Sequence, residues 1–215
     1  QDVSALRYTM ATNPDGGIDV IDLFSDAVDI FREHAVQFAV GTTLVFALQT
    51  ATSYFYIAGL LLMGPIVMGL FRMALAAVRK QEVRVGDALS GFDYFVTAVL
   101  LNIAVVAFMC VGLPLCVLPG LFIFILFLPS YFFILDGATG ITEAFAMNRE
   151  MLRQDWRSWL LVGAYVLGLI LVGVALLGVG LIVTVPIGII SLARVYDRYK
   201  SGVPLSGMPP SEEAP

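Results

Sequence analysis

Charged side chains are scarce in this sequence. They make up only 13% of its 215 residues, about half the share of an ordinary soluble domain. Hydrophobic residues make up 59%, so the chain lacks the polar side chains that would cover an apolar core in water. The composition therefore excludes an ordinary soluble domain and predicts an integral membrane protein.

Histidine and cysteine are too few for the common metal and disulfide sites. A zinc site needs several ligands, most often His and Cys, whereas this chain has one histidine, His34, and two cysteines. Cys110 and Cys116 can form a disulfide across a short bend or lie buried as small apolar side chains. We predict no metal site, no cofactor and no catalytic residue, and therefore a protein that is not an enzyme.

Long apolar runs predict an all-α fold, a polytopic transmembrane helical bundle. A helix needs about 20 residues to cross the core of a bilayer, and six runs come close to this length. Short connectors join the first run to the second, the third to the fourth and the fifth to the sixth, which gives three hairpins. The six predicted spans are residues 35–52, 55–78, 94–113, 117–135, 158–177 and 180–196.

Basic residues, of which there are twelve, test this arrangement. Lys and Arg collect in cytoplasmic connectors, and the six-span arrangement places all twelve at the same side of the membrane. Both termini are then cytoplasmic, and the protein is a multi-pass component of the inner (cytoplasmic) membrane. The net charge of −5 argues against binding nucleic acid, because phosphates require a basic surface.

We divide the chain into an N-terminal segment (residues 1–33), the six-span domain (34–200) and a tail (201–215). The tail is rich in Pro, Ser and Gly and is expected to be disordered. The N-terminal segment contains an amphipathic helix whose five acids, three or four residues apart, share one face. That face is either a solvated surface or a binding surface for a basic partner. The acids are Asp19, Asp22, Asp26, Asp29 and Glu33.

A second cytoplasmic amphipathic helix is predicted after the fourth span, over residues 139–160, with Thr139 as its cap. Three arginines, four residues apart, share one face of this helix. They either anchor it by the positive-inside rule, with two tryptophans at headgroup level, or bind a lipid headgroup specifically. The side chains are Arg149, Arg153 and Arg157, with Trp156 and Trp159 beside them.

The even-numbered spans share a pattern in which a proline stands seven or eight residues before a charged residue. The three stretches read MGPIVMGLFR, FLPSYFFILD and TVPIGIISLAR. The pattern fits a triplicated hairpin, and it also fits the general enrichment of Gly and Pro in membrane helices. Proline removes a helical hydrogen bond, so a helix break is predicted at Pro65, Pro129 and Pro186.

No charged residue lies near the middle of the predicted spans, and the deepest strongly polar side chain is Asn102. Coupled ion transport usually needs ionisable groups at that depth, whereas Arg72, Asp93 and Asp136 lie within two turns of the cytoplasmic boundary. Coupled transport is therefore disfavoured. The glycines from Gly163 onward in spans five and six favour close helix packing, either inside the bundle or against a partner.

The order of these features resembles a group of bacterial inner-membrane domains of unknown function. The stretches GPIVMGLFRMALAAVRK, LPGLFIFILFLPSYFFILDG and GVGLIVTVPIGIISLARVYDRY carry the resemblance, which covers residues 55–200. The group includes YciC-like proteins and the membrane domain attached to some glycerophosphodiester phosphodiesterases. The resemblance implies a six-helix bundle with an amphipathic link after span four, and it assigns no catalytic residue to this chain.

Two functional hypotheses follow. The first is a non-enzymatic accessory or scaffold subunit that packs against a membrane protein complex. Its partners would be membrane lipids and other membrane subunits, or further copies of the chain. The alternative is a lipid-interacting or small-molecule transport protein that works through its proline-broken helices.

Overall fold

The computed structural model describes residues 20–53, 56–112, 125–138, 140–176, 178 and 180–202, and every regular element in these ranges is helical. The all-α prediction is thereby confirmed for the described residues. Asp19, Thr139, Cys116 and the tail beyond residue 202 lie outside them. A 3₁₀ helix covers Val85–Tyr94, and the α-helices are α1 (Val20–Glu33), α2 (Ala35–Ser53), α3 (Tyr56–Val78), α4 (Phe95–Gly112), α5 (Ser130–Leu135), α6 (Ile141–Gln154), α7 (Trp156–Ala175) and α8 (Leu181–Lys200).

Three helical stretches in the described part of the chain are long and apolar enough to cross a membrane. They are Leu61–Val78, Val85–Ala107 and Trp156–Ala175. Two shorter apolar helices, Ala35–Ala51 and Ile125–Leu135, accompany them. These lengths and compositions fit a membrane protein, and the full count of six spans in three hairpins stays a prediction.

Helices α3 and α8 form the centre of the fold. Helix α3 packs against α2, α4, α5, α8 and the 3₁₀ helix, while α8 also contacts α1, α2 and α7. The 3₁₀ helix and α1, α2, α4, α5 and α7 therefore each pack against one of these two. Helix α6 instead packs against α4, α5 and α7.

Aromatic rings fill the space between α3, α5 and α8. The Phe71 ring lies 4.9 Å from both Tyr131 and Phe132, measured between ring centroids. From α8, the Tyr196 ring lies 5.1 Å from Phe132 and 5.0 Å from Phe133. Such ring pairs contribute about 0.5–1.5 kcal/mol each beyond the area they bury, so this aromatic core holds the three helices together.

Glycines bring the backbone of α3 against the backbone of the 3₁₀ helix. A Cβ atom added to Gly69 would lie only 1.8 Å from the carbonyl oxygen of Ala88, and one added to Gly91 would lie 1.9 Å from that of Pro65. No side chain fits at either position. The two segments can therefore pack this closely only because these residues are glycine.

The glycines within α7 and just after it have two different surroundings. A Cβ on Gly173 would lie 2.3 Å from Thr184 Oγ1 of α8, and Gly180 lies directly against Gly173. These glycines therefore allow α7 and α8 to pack closely. In contrast, nothing lies within 4 Å of a Cβ placed on Gly168, so this glycine faces outward.

The three prolines behave differently. Helices α3 and α8 continue through Pro65 and Pro186, so the predicted breaks there are wrong; membrane helices tolerate proline where neighbours satisfy the freed backbone groups. At Pro129 the helix is interrupted by a turn at residues 128–129. Because Pro129 has no N–H, the Ile125 carbonyl accepts a hydrogen bond from the Leu128 N–H instead, at 3.2 Å.

The predicted amphipathic helix after span four is in fact two helices, α6 and α7, separated at Asp155. The Asp155 carboxylate accepts hydrogen bonds from the Ser158 backbone N–H at 3.2 Å and from its hydroxyl at 2.6 Å. Asp155 is thus the N-cap of α7. Arg149 and Arg153 belong to α6 and Arg157 to α7, so the expectation of one shared helical face is wrong.

Replacing Gly69 with alanine should destabilise the protein by about 1–3 kcal/mol, because the new Cβ would overlap the Ala88 backbone. Gly168→Ala is the matched control, since it also lies within a helix but meets open space. The control should be neutral or gain about 0.5–1 kcal/mol from helix propensity. Thermal unfolding in detergent measures both, and equal melting temperatures would contradict the close approach.

Candidate functional site

Three helices end in the same way, each followed by a residue with left-handed backbone. The φ angles are 55° at Lys80, 102° at Gly137 and 69° at Gly202. After α3, the Gln81 N–H donates to the Ala76 carbonyl and the Lys80 N–H to the Ala77 carbonyl, the hydrogen bonds of a Schellman motif. Corresponding bonds run from Ala138 and Gly137 to Phe133 and Ile134 after α5. These tight endings fix the residues just before them, Arg79 and Asp136.

Arg79 joins α3, α5 and α8 at one end of the bundle. Its two terminal nitrogens donate to the two oxygens of Asp136, both at 2.8 Å, and its Nε donates to Asp197 Oδ1 at 3.0 Å. The Tyr196 hydroxyl donates to Asp136 Oδ2 at 2.9 Å, and Lys200 Nζ lies 4.0 Å from the same oxygen. We call these five residues the arginine cluster.

Asp136 needs this arrangement for electrostatic reasons. It stands at the C-terminal end of α5, where the helix dipole disfavours a negative charge, and its side chain is 13% exposed. Burial works to raise the pKa of Asp136, but hydrogen bonds from Arg79 and Tyr196 and the charges of Arg79 and Lys200 outweigh it and lower the pKa. The Asp136 and Asp197 hydrogen bonds likewise raise the pKa of Arg79, against burial.

A polar cleft of about 270 Å³ lies beside the arginine cluster. It runs along α3 and is closed on the other side by the connector after α3, the 3₁₀ helix and the end of α5. Apolar and charged side chains both line it, so it can accommodate an amphipathic or polar ligand. The lining residues are Arg72, Leu75, Ala76, Arg79, Gln81, Glu82, Asp87, Tyr94, Leu135 and Asp136.

Arg72 is the deepest charged residue in the cleft. It lies inside the stretch Leu61–Val78, which is long and apolar enough to cross a membrane. Its Nη1 is 3.5 Å from Asp93 Oδ2, and the two side chains are 43% and 70% exposed. An exposed pair of this kind contributes about 0–1 kcal/mol, so Arg72 can exchange Asp93 for a ligand at little cost.

The acidic face of α1 is only partly exposed to solvent. Asp26 pairs with Arg194 of α8, and both side chains are about one-fifth exposed. Asp29 is exposed and lies 3.9 Å from Arg32, and Glu33 is also exposed. One of the predicted partner-binding acids therefore attaches α1 to its own bundle, while Asp22 is half-buried.

The three arginines predicted to contact lipid headgroups are all exposed. Arg157 lies over the ring of Trp156 at 5.6 Å, and Trp156 is exposed as well. Trp159, in contrast, is buried in the core, so its side chain does not contact lipid headgroups. The binding of lipid by Arg149, Arg153 and Arg157 stays a prediction.

The arginine cluster was not predicted as a site from the sequence. One sequence pattern pointed to part of it: a charged residue follows the proline in each even-numbered span, and in the fourth span that residue is Asp136. Its partners Arg79 and Asp197 are 57 and 61 positions away in the sequence, respectively, and only the fold brings them together. Within the described ranges, no group of three or more His, Cys, Asp or Glu side chains could hold a metal ion.

No protein-family model, curated protein or solved structure matches this chain. The resemblance of residues 55–200 to inner-membrane domains of unknown function therefore stays a prediction. The function has to be inferred from the chain's own surfaces.

Replacing Arg79 with glutamine should cost about 2–4 kcal/mol, because it leaves Asp136 and Asp197 without their cation; fully buried pairs cost about 3–5 kcal/mol to break, and Arg79 is 29% exposed. Arg153→Gln is the control, since Arg153 is an exposed arginine and should change stability by less than about 0.5 kcal/mol. Chemical unfolding in detergent distinguishes the two. Similar losses in both variants would refute the special role of Arg79.

The lowered pKa of Asp136 predicts a specific acid dependence of stability. The ionised carboxylate stabilises the folded state fully above its unfolded pKa of about 3.9, and this contribution is lost as pH falls through the lower folded pKa. The difference in melting temperature between the unmodified protein and Asp136→Asn should therefore shrink below about pH 4. A difference that stays constant from pH 7 to pH 3 would show that Asp136 is not stabilised by its charge.

Proposed function

We propose that this chain is a non-enzymatic integral membrane accessory or scaffold subunit that packs against a partner in the membrane. The observation that carries the proposal is an outward face on α7, the seam, whose residues recur three and four positions apart. This spacing is the heptad pattern by which helices pack knobs into holes. The seam consists of Leu161, Ala164, Gly168, Leu171 and Ala175.

The side chains of the seam suit a partner helix. Leu161 and Leu171 are 51% and 47% exposed, and Ala164 and Ala175 are exposed as well. Nothing lies within 4 Å of a Cβ on Gly168, so the middle of the seam is open. Small residues let two membrane helices approach closely, and the leucines on either side supply the interdigitating side chains.

The remaining acidic residues of α1 offer a second, polar contact. Asp29 and Glu33 stay exposed while Asp26 is used inside the bundle. Because an acidic face is poorly placed against a negative leaflet, a basic partner segment is the better match. The seam and this acidic surface could thus contact one partner, at two depths.

We further propose six spans in three hairpins, with the charged end of the bundle and both termini in the cytoplasm of a cell with an inner membrane. The arginine cluster supports this orientation together with Lys80 and Arg84, because basic residues near the ends of spans mark the cytoplasmic side. The transport hypothesis is less well supported. Helices α3 and α8 run through their prolines, and aromatic rings fill the space between them.

The test is whether the seam holds a partner. Gly168→Leu should remove a co-purifying subunit or a second copy, because leucine fills the open position. Val174→Leu is the matched control, since Val174 is 56% exposed on α7 but lies off the seam. Native mass spectrometry of protein extracted from its own membrane identifies the partner. An unmodified protein that is only ever a monomer, with no co-purifying protein, would refute the proposal.

A further inference from the structure

The polar cleft beside the arginine cluster lies at the end of the apolar stretch Leu61–Val78, which is the place of a lipid headgroup when such a stretch spans a membrane. Its α3 wall consists of Arg72, Leu75, Ala76 and Arg79, which are spaced three, four and seven apart and so share one face. Arg72 stands six residues before the end of α3, at Val78, which is about 9 Å along the helix axis. A charged residue inside a span is costly to place there, so we treat Arg72 as a candidate functional residue.

The size of the cleft limits what it can hold. Its volume of about 270 Å³ is slightly below the range of about 300–1,000 Å³ typical of sites for drug-sized ligands. A lipid headgroup fits such a space better than a whole lipid or a large metabolite. Leu75, Ala76 and Leu135 in the lining provide apolar contacts for the carbon atoms that join the headgroup to its chains.

The charges of the cleft disfavour a purely anionic ligand. Two arginines line it against three carboxylates, Glu82, Asp87 and Asp136. Arg79 is already occupied by Asp136 and Asp197, which leaves Arg72 as the guanidinium that can exchange its weak contact. A phosphate without a neighbouring positive charge would therefore meet one available arginine and a surplus of negative charge.

Two of the carboxylates already have cationic partners. Glu82 pairs with Arg84 at 2.6 Å, and Asp136 is held by Arg79. Asp87 differs in its hydrogen-bond donor, because its carboxylate accepts at 2.9 Å from the neutral Arg84 backbone N–H, while the Arg84 guanidinium, which is hydrogen-bonded to Glu82, attracts Asp87 only through its charge. A ligand ammonium could bind Asp87 while that hydrogen bond stays in place.

We propose that this cleft binds a phosphate ester joined to a primary ammonium group, the headgroup chemistry of phosphatidylethanolamine. Arg72 binds the phosphodiester through its guanidinium, and Asp87 accepts hydrogen bonds from the ammonium. A primary ammonium carries three N–H donors, whereas the trimethylammonium of a choline headgroup has none. The proposal requires insertion in a membrane and does not depend on the partner subunit inferred above.

Binding to purified protein in detergent tests the proposal, with dihexanoyl phosphatidylethanolamine, phosphatidylcholine and phosphatidylglycerol as probes and native mass spectrometry as the readout. The unmodified protein should bind the ethanolamine lipid at least about tenfold more tightly than either other lipid, a difference of about 1.4 kcal/mol. Tighter binding of phosphatidylglycerol, or equal binding of all three, would overturn it.

Two variants separate the roles of the charges. Arg72→Gln should weaken binding of the ethanolamine and glycerol lipids alike, because both contain the phosphodiester. Asp87→Asn keeps an oxygen for the Arg84 N–H and should weaken only the ethanolamine lipid. Arg32→Gln, which changes an exposed arginine of α1, is the control and should leave all affinities unchanged. An unaltered preference in Asp87→Asn would refute the ammonium site.

The source of the ligand is decided by free glycerophosphoethanolamine, which has the same phosphodiester and ammonium groups without acyl chains. Binding of the lipid but not of the free compound supports the site and assigns it to a membrane lipid. Equal binding of both supports the site and assigns it to a soluble compound. Melting temperatures of Arg72→Gln and Arg72→Lys confirm that the variants are folded, and retained binding in a folded Arg72→Gln would overturn the role of Arg72.

Discussion

The rest of this fold depends on the pairing of Arg79 with two carboxylates from different helices. Asp136 lies at the unfavourable end of a helix dipole, and its charge is tolerated because Arg79 binds both of its oxygens. Asp197 accepts a hydrogen bond from the Nε of the same guanidinium. These bonds fix the ends of α3, α5 and α8 relative to one another, and two of the bonded residues, Arg79 and Asp136, also line the polar cleft.

Apolar packing also fixes the positions of α3, α5 and α8 relative to one another inside the bundle. Next to the arginine cluster, the rings of Phe71, Phe132 and Tyr196 pack against one another across the three helices. Because Gly69 and Gly91 have no side chains, the 3₁₀ helix packs directly against α3. This contact places Asp87 and Arg72 on opposite walls of one cleft. Because each contact is made by residues that leave little free volume, the position of the cleft is a property of the packed core.

Composition and apolar runs predicted the helical class and the approximate positions of most helices, because hydrophobicity over about 20 residues is a local property. The break at Asp155 was missed because arginines continue at four-residue spacing on both sides of it, although an acid three residues before Ser158 is an N-cap signal. The arginine cluster could not be predicted from the sequence, because the spacing of charged residues along the chain does not show which of those at helix ends are in contact in the fold. The tolerated prolines were misjudged because their neighbours in the bundle decide their effect.

The long sequence separation of the ion pairs has a consequence for how the protein is made. Asp197 is 118 positions from Arg79, and Arg194 is 168 positions from Asp26. During synthesis, Asp26 of α1 and Arg79 after α3 can therefore make these ion pairs only once α8 has left the ribosome. Helix α8 closes contacts with α1 and with the end of α3 at the same time, so these contacts are completed only after translation has passed residue 197.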